Sequence, residues 1–546
     1  MIPLREYSLK SEKFEVTGVK ELKLEEMTVR QKLGMCLSLF TYNSAAREND
    51  ENFAYALQLI RERSLGAIWI TPHSHNRDEM LQQIREAADY PILVMTDAEN
   101  GFGDYLVGRA NAIACTGNEE LAYTFGKVCA VTAREMGYNV VCNPVVDMCA
   151  TDGVCGHVVR SLGSDKKKVA RMAAAIARGA RDGGVLTVAK HYPSAVDPMI
   201  DSHMEENKSM VTEAELLDYN LYPYLELMKE DLLDGIMVGH TRLPNIDPDY
   251  PASLSQKVND VIRRQGFDGF MITDALEMMG IVAKFGRQGC KGRAIAGGCE
   301  FALVSDSARA CMDALTESYE QGIIDDARLD EAVRRILTAQ HKAMVAPKDA
   351  VLTEEDLEKF DRINRDSTYA HTDPEVPVPL DRNGRYLFVV LKENNMLQDA
   401  EDRVLVDTMT VNWFKPAKIG KQLKELFPNA EVETLYEFPR PIQNLHIMHR
   451  AMEFDEVVFV SFINSQTCIG KECLTERILT LLRGLKAADK LSTIVHFGNP
   501  FALEDVPRVK RMLIGGLSEK NVEYTLEILA GNGEARGVLP YDVKLP

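Results

Sequence analysis

Seven short apolar runs recur through roughly the first 310 residues, with helical patterns between them. The runs are LGAIWIT, YPILVMTD, YNVVCNPVVD, GVLTVAKH, DGIMVGH, GFMITD and CEFALVSD. Intervening stretches such as NRDEMLQQIREAADY carry apolar residues at helical spacing. Strands that are apolar on both faces and alternate with helices predict a parallel sheet. The sheet could be open and doubly wound or closed as a barrel, and a closed barrel needs an eighth strand that the pattern does not show.

Ionisable residues stand at the carboxyl ends of these runs. They are Asp97, Asp147, Lys190 with His191, His240 and Asp274. The carboxyl ends of the strands of a barrel surround one mouth, where barrel enzymes gather their catalytic residues. Repetition of charge at this place favours the barrel over an open sheet. The sequence therefore predicts a (β/α)8-type, TIM-like barrel over residues 1–345.

The pattern changes near Pro347. A polar segment with several prolines, residues 346–384, is expected to be a linker. Further strand-like runs follow, YLFVVL, EVVFVSF, STIVHFGNP and RMLIGG, separated by helical patterns such as LTERILTLLRGLKAA. They predict a smaller parallel α/β sandwich domain over residues 385–546.

Charge and apolar content narrow the partners and the compartment. With 82 acidic and 63 basic side chains the net charge is −19, which repels nucleic acid and anionic membranes and favours a neutral small ligand. No run approaches the length of a membrane span, and the opening MIPLREYSLKSEKFEV has no apolar export segment, so a cytoplasmic location is expected. The oligomeric state cannot be inferred from the sequence.

The eleven cysteines and the missing motifs bear on cofactors. The cysteines are scattered singly in apolar contexts, so we expect reduced thiols, no disulfide and no structural metal. The sequence has no P-loop, no dinucleotide fingerprint and no zinc-protease motif. These observations favour a reaction on a polar group of the ligand that needs no cofactor.

The candidate residues also have simpler explanations. Asp274 could cap the helix that follows its strand, or it could be a carboxylate that projects into the mouth. Arg160 could pair with a surface acid, or its guanidinium could bind hydroxyls or a carboxylate. Lys190 is harder to explain structurally, because lysine is almost never buried without a partner.

Six motifs occur in an order that resembles a known family. They are TDAENG, CNPVVDM, RSLGSD, KHYP with the following DSH, VGHTRLPNIDPDYPASLS and GFDGFMITDALEM. This series resembles the N-terminal domain of family 3 glycoside hydrolases, above all the β-N-acetylhexosaminidase branch. The endings FGNPFALEDVP and GEARGVLPYDVKLP look like the α/β sandwich that follows the barrel in many members.

The resemblance implies roles for individual residues. It makes Asp274 the nucleophile of a retaining hydrolysis that passes through a covalent glycosyl-enzyme. It assigns the binding of sugar hydroxyls to Asp97, Arg160, Lys190 and His191. We also expect His240, at a neighbouring strand end, to contact the substrate.

The loop KHYPSAVDPMIDSH departs from the family pattern. In the hexosaminidase branch a histidine paired with the aspartate two residues later serves as acid and base. This sequence keeps the aspartate, Asp197, but has Ala195 in place of the histidine. Loss of general acid–base help typically costs about 10²- to 10⁴-fold in rate.

Four interpretations of this loop stay open. Another group of the loop could supply the proton; His203 and Asp197 are the predicted catalytic residues, and Glu205 and Glu206 are also near in sequence. The acid could come from the second domain, where Glu472 is the nearest candidate. The substrate could need little protonation, or phosphate could be the acceptor. Finally, the barrel could be a sugar-binding module that has lost the general acid, although a retained nucleophile argues against this.

The predicted function is therefore a retaining glycoside hydrolase that removes a terminal β-linked sugar. The favoured substrate is an N-acetylhexosaminide. A β-glucosidase, a glycoside phosphorylase or a non-catalytic sugar-binding module are the alternatives.

Overall fold

The computed structural model describes residues 20–41, 51–72, 76–149, 158–194, 203–392, 396–398, 404–406, 416–463 and 473–546. The first sheet has eight parallel strands: β1 Leu37–Thr41, β2 Ala67–Ile70, β3 Leu93–Asp97, β4 Val140–Cys142, β5 Leu186–Tyr192, β6 Gly235–Val238, β7 Phe270–Thr273 and β8 Ala302–Val304. Their order is β8-β1-β2-β3-β4-β5-β6-β7. A parallel bridge between Ile272 and Phe301 brings β7 beside β8. The sheet is thus a nearly closed barrel, and the predicted fold class is confirmed.

The strand that the sequence pattern did not reveal is β1, with the sequence LSLFT. The preceding helix, Val29–Met35, ends just before the strand begins at Leu37, and only Cys36 separates them. No proline or asparagine marks the boundary, and the nearby Gly34 lies inside the helix, so the usual turn signal between a helix and a strand is missing.

Helices surround the barrel. They are α1 Val29–Met35, α2 Glu51–Arg61, α3 Arg77–Ala87, α4 Arg109–Cys115, α5 Glu119–Met136, α6 Lys166–Asp182, α7 Tyr222–Lys229, α8 Gln256–Arg264, α9 Met279–Phe285, α10 Gly289–Ala296, α11 Ala308–Glu320 and α12 Asp326–Val345. Side-chain caps define several of their starts: Asn118 accepts from the amides of the first turn of α5, and Asp165 does the same for α6. None of the helices in the described ranges is long and apolar enough to cross a membrane.

The second sheet has six strands. They are β9 Tyr369–Thr372, β10 Tyr386–Lys392, β11 Glu431–Tyr436, β12 Glu456–Ile463, β13 Leu491–Gly498 and β14 Arg511–Gly515, in the order β9-β14-β13-β12-β10-β11. All pairs are parallel except β9 with β14, so the sheet is mixed rather than purely parallel. The helices of this half are α13 Glu354–Asp366, α14 Pro416–Leu426, α15 Pro441–Ala451, α16 Glu476–Ala487 and α17 Glu519–Leu529.

Both faces of the second sheet are buried. Along β10, Leu387 and Val389 belong to one apolar core and Phe388 and Val390 to the other. This alternation follows from the two-residue period of a strand, and each core includes apolar residues of the helices on its side. The result is a three-layer α/β/α unit.

The segment predicted to be a linker contains α13 and β9. Asn364 of α13 donates to the Leu106 carbonyl in the barrel half (3.0 Å) and accepts from the Ser518 hydroxyl of the second half (2.6 Å). Gly108 and Gly516 meet nearby, and a Cβ on Gly108 would lie 2.6 Å from the Gly516 Cα. The two halves therefore touch backbone to backbone at this point. The domain limits themselves stay a prediction.

Candidate active site

The structure places the predicted residues at one end of the barrel. Asp97 ends β3, Lys190 and His191 belong to β5, and Asp274 directly follows β7. Arg160 lies in a short 3₁₀ turn, Val158–Arg160, between β4 and α6. Because parallel strands of a barrel end on the same side, these residues share the mouth.

A buried lysine joins two carboxylates at the mouth. The Lys190 ammonium, whose side chain is 2 % exposed, forms ion pairs with Asp97 and with Glu99, the latter at 2.6 Å. Burial lowers the pKa of Lys190, but the two carboxylates raise it well above its usual value. Asp97 is 52 % exposed although it is paired with Lys190. The lysine therefore stays charged and holds a carboxylate that faces the solvent.

Arg160 forms a two-pronged ion pair with Glu99. Its Nε and Nη2 atoms donate to the two carboxylate oxygens at 2.8 and 2.7 Å, the geometry in which guanidinium–carboxylate pairs are strongest. Nη2 also lies 3.1 Å from Nε2 of His191. Burial raises the pKa of Glu99, but Arg160 and Lys190 together hold it well below its usual range. Nη1 has no hydrogen bond to the described residues.

His191 is oriented by Asp147. The Asp147 carboxylate accepts from the His191 backbone amide at 2.9 Å and lies 2.7 Å from Nδ1 of its ring. Two contacts to one buried carboxylate fix both the backbone and the ring. They require Nδ1 to carry a proton, so Nε2 is the atom that faces Arg160 and the mouth.

Asp274 is a buried carboxylate whose pKa is lowered by its surroundings. Burial raises the pKa of Asp274. The combined effect of His191, His240, the Ala275 amide and His203 is larger and lowers this pKa to about 2. The Ala275 amide donates to Oδ1 at 2.8 Å. Asp274 is therefore ionised at neutral pH in an environment rich in histidine, as a carboxylate nucleophile requires.

His240 is buried beside this carboxylate. Its Nε2 lies 2.9 Å from the Ala275 carbonyl oxygen and its Nδ1 lies 2.8 Å from the Ser253 hydroxyl. A carbonyl only accepts, so Nε2 carries the proton and Nδ1 accepts from Ser253. Burial lowers the pKa of His240, which favours the neutral ring. Both nitrogens thus have protein partners, an arrangement that braces the segment after Asp274.

Part of the altered loop lies outside the described residues, including Ala195 and Asp197, and so does Glu472. His203 is described, and its carbonyl accepts from the Met279 amide at the start of α9 (3.3 Å). A positive charge on His203 lowers the pKa of both Asp274 and His240. The proton-donor roles of His203 and Asp197 both stay predictions.

Sequence reasoning missed Glu99 and gave Asp147 no role. Glu99 stands in TDAENG beside the predicted Asp97, and its burial against two cations is the signal that only the fold reveals. Asp147 was noted at a strand end, and that position is the signal that could have identified it. In the described ranges no group of three or more histidine, cysteine or acidic residues is placed to hold a metal ion.

A barrel whose mouth holds buried, mutually paired acids and bases is typical of enzymes that act on small polar ligands. Residues 28–339 match the model of the glycosyl hydrolase family 3 N-terminal domain. Because this match covers more than half of the chain, the protein belongs to glycosyl hydrolase family 3.

Two curated relatives illustrate the similarity. The "Beta-N-acetylglucosaminidase/beta-glucosidase" of Cellulomonas fimi is 27 % identical over 332 residues, which cover 58 % of this chain and 57 % of that protein. The "Beta-hexosaminidase LpqI" of Mycobacterium bovis (strain BCG / Pasteur 1173P2) is 32 % identical over 218 residues, which cover 38 % of this chain and 55 % of that protein. The chain thus spans a little over half the length of these relatives.

A solved structure extends the likeness to the second domain. The family 3 β-N-acetylglucosaminidase from Paenibacillus sp. str. FPU-7 has a TM-score of 0.79 and 25 % identity, covering 95 % of this chain and 100 % of that one. The arrangement of barrel and α/β unit is therefore shared with a known member.

Proposed function

We propose that this protein is a retaining glycosidase that removes a terminal β-linked sugar, with Asp274 as the nucleophile. The observation that carries the proposal is the Asp274 carboxylate, held ionised by the Ala275 amide and the surrounding histidines. An ionised carboxylate at the mouth can attack the anomeric carbon and form a covalent glycosyl-enzyme, which water then hydrolyses.

The cluster around Glu99 is suited to binding the sugar. Asp97 offers carboxylate oxygens as acceptors for sugar hydroxyls, and Lys190 keeps this side chain in place. Nη1 of Arg160 can donate a hydrogen bond to a sugar hydroxyl, because Glu99 engages the other two guanidinium nitrogens. Hydrogen bonds to charged groups are stronger than neutral ones, so a few such contacts orient a neutral sugar.

The histidines divide into two roles. The His191 side chain stays 11 % exposed at the mouth, with Nδ1 held by Asp147 and Nε2 3.1 Å from Nη2 of Arg160, and we propose that it contacts the sugar together with Arg160. For His240 we propose a bracing role beside Asp274 rather than the substrate contact expected from sequence, since the residue is buried and its ring nitrogens contact Ser253 and the Ala275 carbonyl.

For the proton donor we propose His203, with Asp197 as the alternative within the same loop. The support for His203 is its electrostatic influence on Asp274, together with the imidazole ring, a side chain that can serve as both acid and base. In the first step His203 would protonate the leaving oxygen, and in the second it would take a proton from the attacking water.

The substrate class that we favour is a β-N-acetylglucosaminide, with a β-glucoside as the second candidate. Both sugars occur in the name of the Cellulomonas fimi relative, and the Paenibacillus structure is a β-N-acetylglucosaminidase. The cytoplasmic location expected from the sequence stays a prediction.

Turnover and covalent trapping test the function. A panel of nitrophenyl β-glycosides should give turnover of the N-acetylglucosaminide, the glucoside or both. A 5-fluoro glycosyl fluoride of the preferred sugar should add one glycosyl mass to the peptide that contains Asp274. The Asp274→Asn variant should show neither result. Sugar binding without turnover would move the protein to the binding modules, and phosphate-dependent turnover would identify a phosphorylase.

The leaving group tests the proton donor. In His203→Ala, dinitrophenyl glycosides should react in the first step at nearly the wild-type rate, whereas alkyl glycosides should lose about 10²- to 10⁴-fold in kcat/KM, because only they need protonation. Pre-steady-state and steady-state rates on both substrates measure this. Asp197→Ala and Glu472→Ala are the comparison variants. Wild-type rates for His203→Ala on an alkyl glycoside would exclude His203 as the acid.

A further inference from the structure

The 537–543 segment crosses from the second domain to the barrel mouth. The Tyr541 hydroxyl donates to the Ser161 carbonyl at 2.8 Å, and the bond is buried. The ring packs in a small apolar cluster with Cys149 and Phe501. Tyr541 therefore joins a mouth loop to the second domain.

Backbone hydrogen bonds extend this contact on both sides. The Ser164 amide donates to the Pro540 carbonyl at 3.1 Å, and the Val538 amide donates to the Cys115 carbonyl at 2.8 Å. A Cβ on Gly163 would lie 2.7 Å from the Pro540 oxygen, so the approach is close. The segment is thus held against the loop at several points.

Ser161 connects the segment to the site. It directly follows Arg160, and its hydroxyl donates to the Asp147 carbonyl at 2.7 Å. Asp147 in turn orients His191. One residue that Tyr541 contacts is therefore bonded to two parts of the sugar-binding cluster.

We propose that Tyr541 is a positioning residue for the sugar-binding side of the mouth. The proposal rests on the proposed function, since it assigns Tyr541 an effect on sugar affinity. Without the hydroxyl, the buried Ser161 carbonyl loses its partner, and an unsatisfied buried carbonyl is costly enough to make the backbone shift. A shift of the 158–164 backbone moves the Arg160 guanidinium away from its place beside Glu99.

The test is the Tyr541→Phe variant, which keeps the buried ring. Its matched control is Tyr90→Phe, because Tyr90 is also buried and donates to a backbone carbonyl, that of Leu65, at the opposite end of the barrel. With the best nitrophenyl glycoside of the panel, KM should rise about five- to tenfold in Tyr541→Phe with kcat changed less than about twofold, the size of one lost hydrogen bond. In Tyr90→Phe, KM should not change.

A second measurement is independent of activity. Hydrogen exchange of a peptide covering 158–164 should be faster in Tyr541→Phe than in the wild type and unchanged in Tyr90→Phe. Equal effects of both variants on KM, or unchanged KM and exchange in Tyr541→Phe, would overturn the proposal. If the wild type turns over no glycoside, the proposed function fails and positioning of a sugar site fails with it; the exchange result then decides only whether Tyr541 holds the loop.

Discussion

Two buried glutamates, one at each end of the barrel, form ion pairs with cations, but the two sets of ion pairs differ in how completely their polar atoms are used. At the mouth, Glu99 holds Arg160 and Lys190. At the other end, Glu300 lies just before β8 and is fully buried among the three arginines Arg263, Arg328 and Arg335. Each is a buried carboxylate paired with several cations, yet only the set at the mouth includes a half-exposed partner, Asp97.

The Glu300 cluster is closed. One carboxylate oxygen accepts from Arg328 and Arg335, and the other accepts from Arg263 and the Met271 amide. The arginines use further donors on backbone carbonyls, for example Arg328 on those of Ile295 and Cys299. The donors and acceptors are used to hold the end of the barrel together.

The Glu99 cluster is open. Lys190 also forms an ion pair with Asp97, whose carboxylate is half exposed at the mouth. One guanidinium nitrogen of Arg160 has no protein partner among the described residues. Burial of an ion pair therefore does not by itself identify a ligand-binding site. The two clusters differ in whether some of their polar atoms remain available to form hydrogen bonds with a ligand.

The largest expected difference between the two glutamates is in their contribution to stability. Glu300→Gln should lower the free energy of unfolding by about 3–5 kcal/mol, because three buried cations lose their common counter-ion. Denaturant unfolding followed by circular dichroism measures it. The matched control is Glu331→Gln, which removes a half-exposed partner of the same Arg328 and Arg335 and should cost about 1 kcal/mol or less.

Equal losses in Glu300→Gln and Glu331→Gln would contradict the closed cluster. The kinetic constants of the folded Glu300→Gln protein should match the wild type, since the cluster lies at the far end of the barrel.

The next effect concerns activity. Glu99→Gln should reduce kcat/KM on the preferred glycoside by about 10- to 100-fold. Arg160 and Lys190 each lose a hydrogen bond to a charged group, and such bonds contribute about 1.5–3 kcal/mol. Steady-state kinetics measures it. Asp356→Asn is the control, because it weakens a largely buried pair with Lys127 away from the mouth and should leave kcat/KM unchanged. A wild-type kcat/KM in Glu99→Gln would show that Glu99, like Glu300, has only a structural role.

The smallest effect is a pH dependence. The pKa of Asp274 falls from 3.8 to about 2 on folding, so its contribution to stability is present above pH 3.8 and is lost as the pH falls through about 2. The contribution is about 2 kcal/mol. As the pH falls from 4 towards 2, the unfolding free energy of the wild type should fall more steeply than that of Asp274→Asn. Parallel curves down to pH 3 would show that the carboxylate is not held ionised by its surroundings.

The sequence predicted much of the fold and part of the site. Charge at the strand ends predicted the barrel, because carboxyl ends of parallel strands must meet, and six ordered motifs predicted the family. The strand LSLFT was missed because no turn residue separates it from α1. The antiparallel β9 was missed because it lies in a polar, proline-rich segment whose pairing with β14 is decided by tertiary contact.

The remainder of the site depends on contacts that spacing does not encode. Glu99 is adjacent to Asp97 in sequence, but its role follows from the approach of Arg160 and Lys190, which come from other parts of the chain. Likewise His240 looks like a ligand-contacting residue at a strand end until its partners, Ser253 and the Ala275 carbonyl, are known. A one-dimensional pattern identifies which side chains reach the mouth, not which of their atoms remain available.

The backbone contact between Gly108 and Gly516 limits how this protein can be recombined with its relatives. A transplanted second domain that carries any side chain at position 516 would place its Cβ about 3.0 Å from the Gly108 Cα and from the Ala112 Cβ. The graft would then either tilt or separate from the barrel. Exchange of modules between family members is therefore expected to succeed only when both glycines are retained, whatever the similarity of the remaining surface.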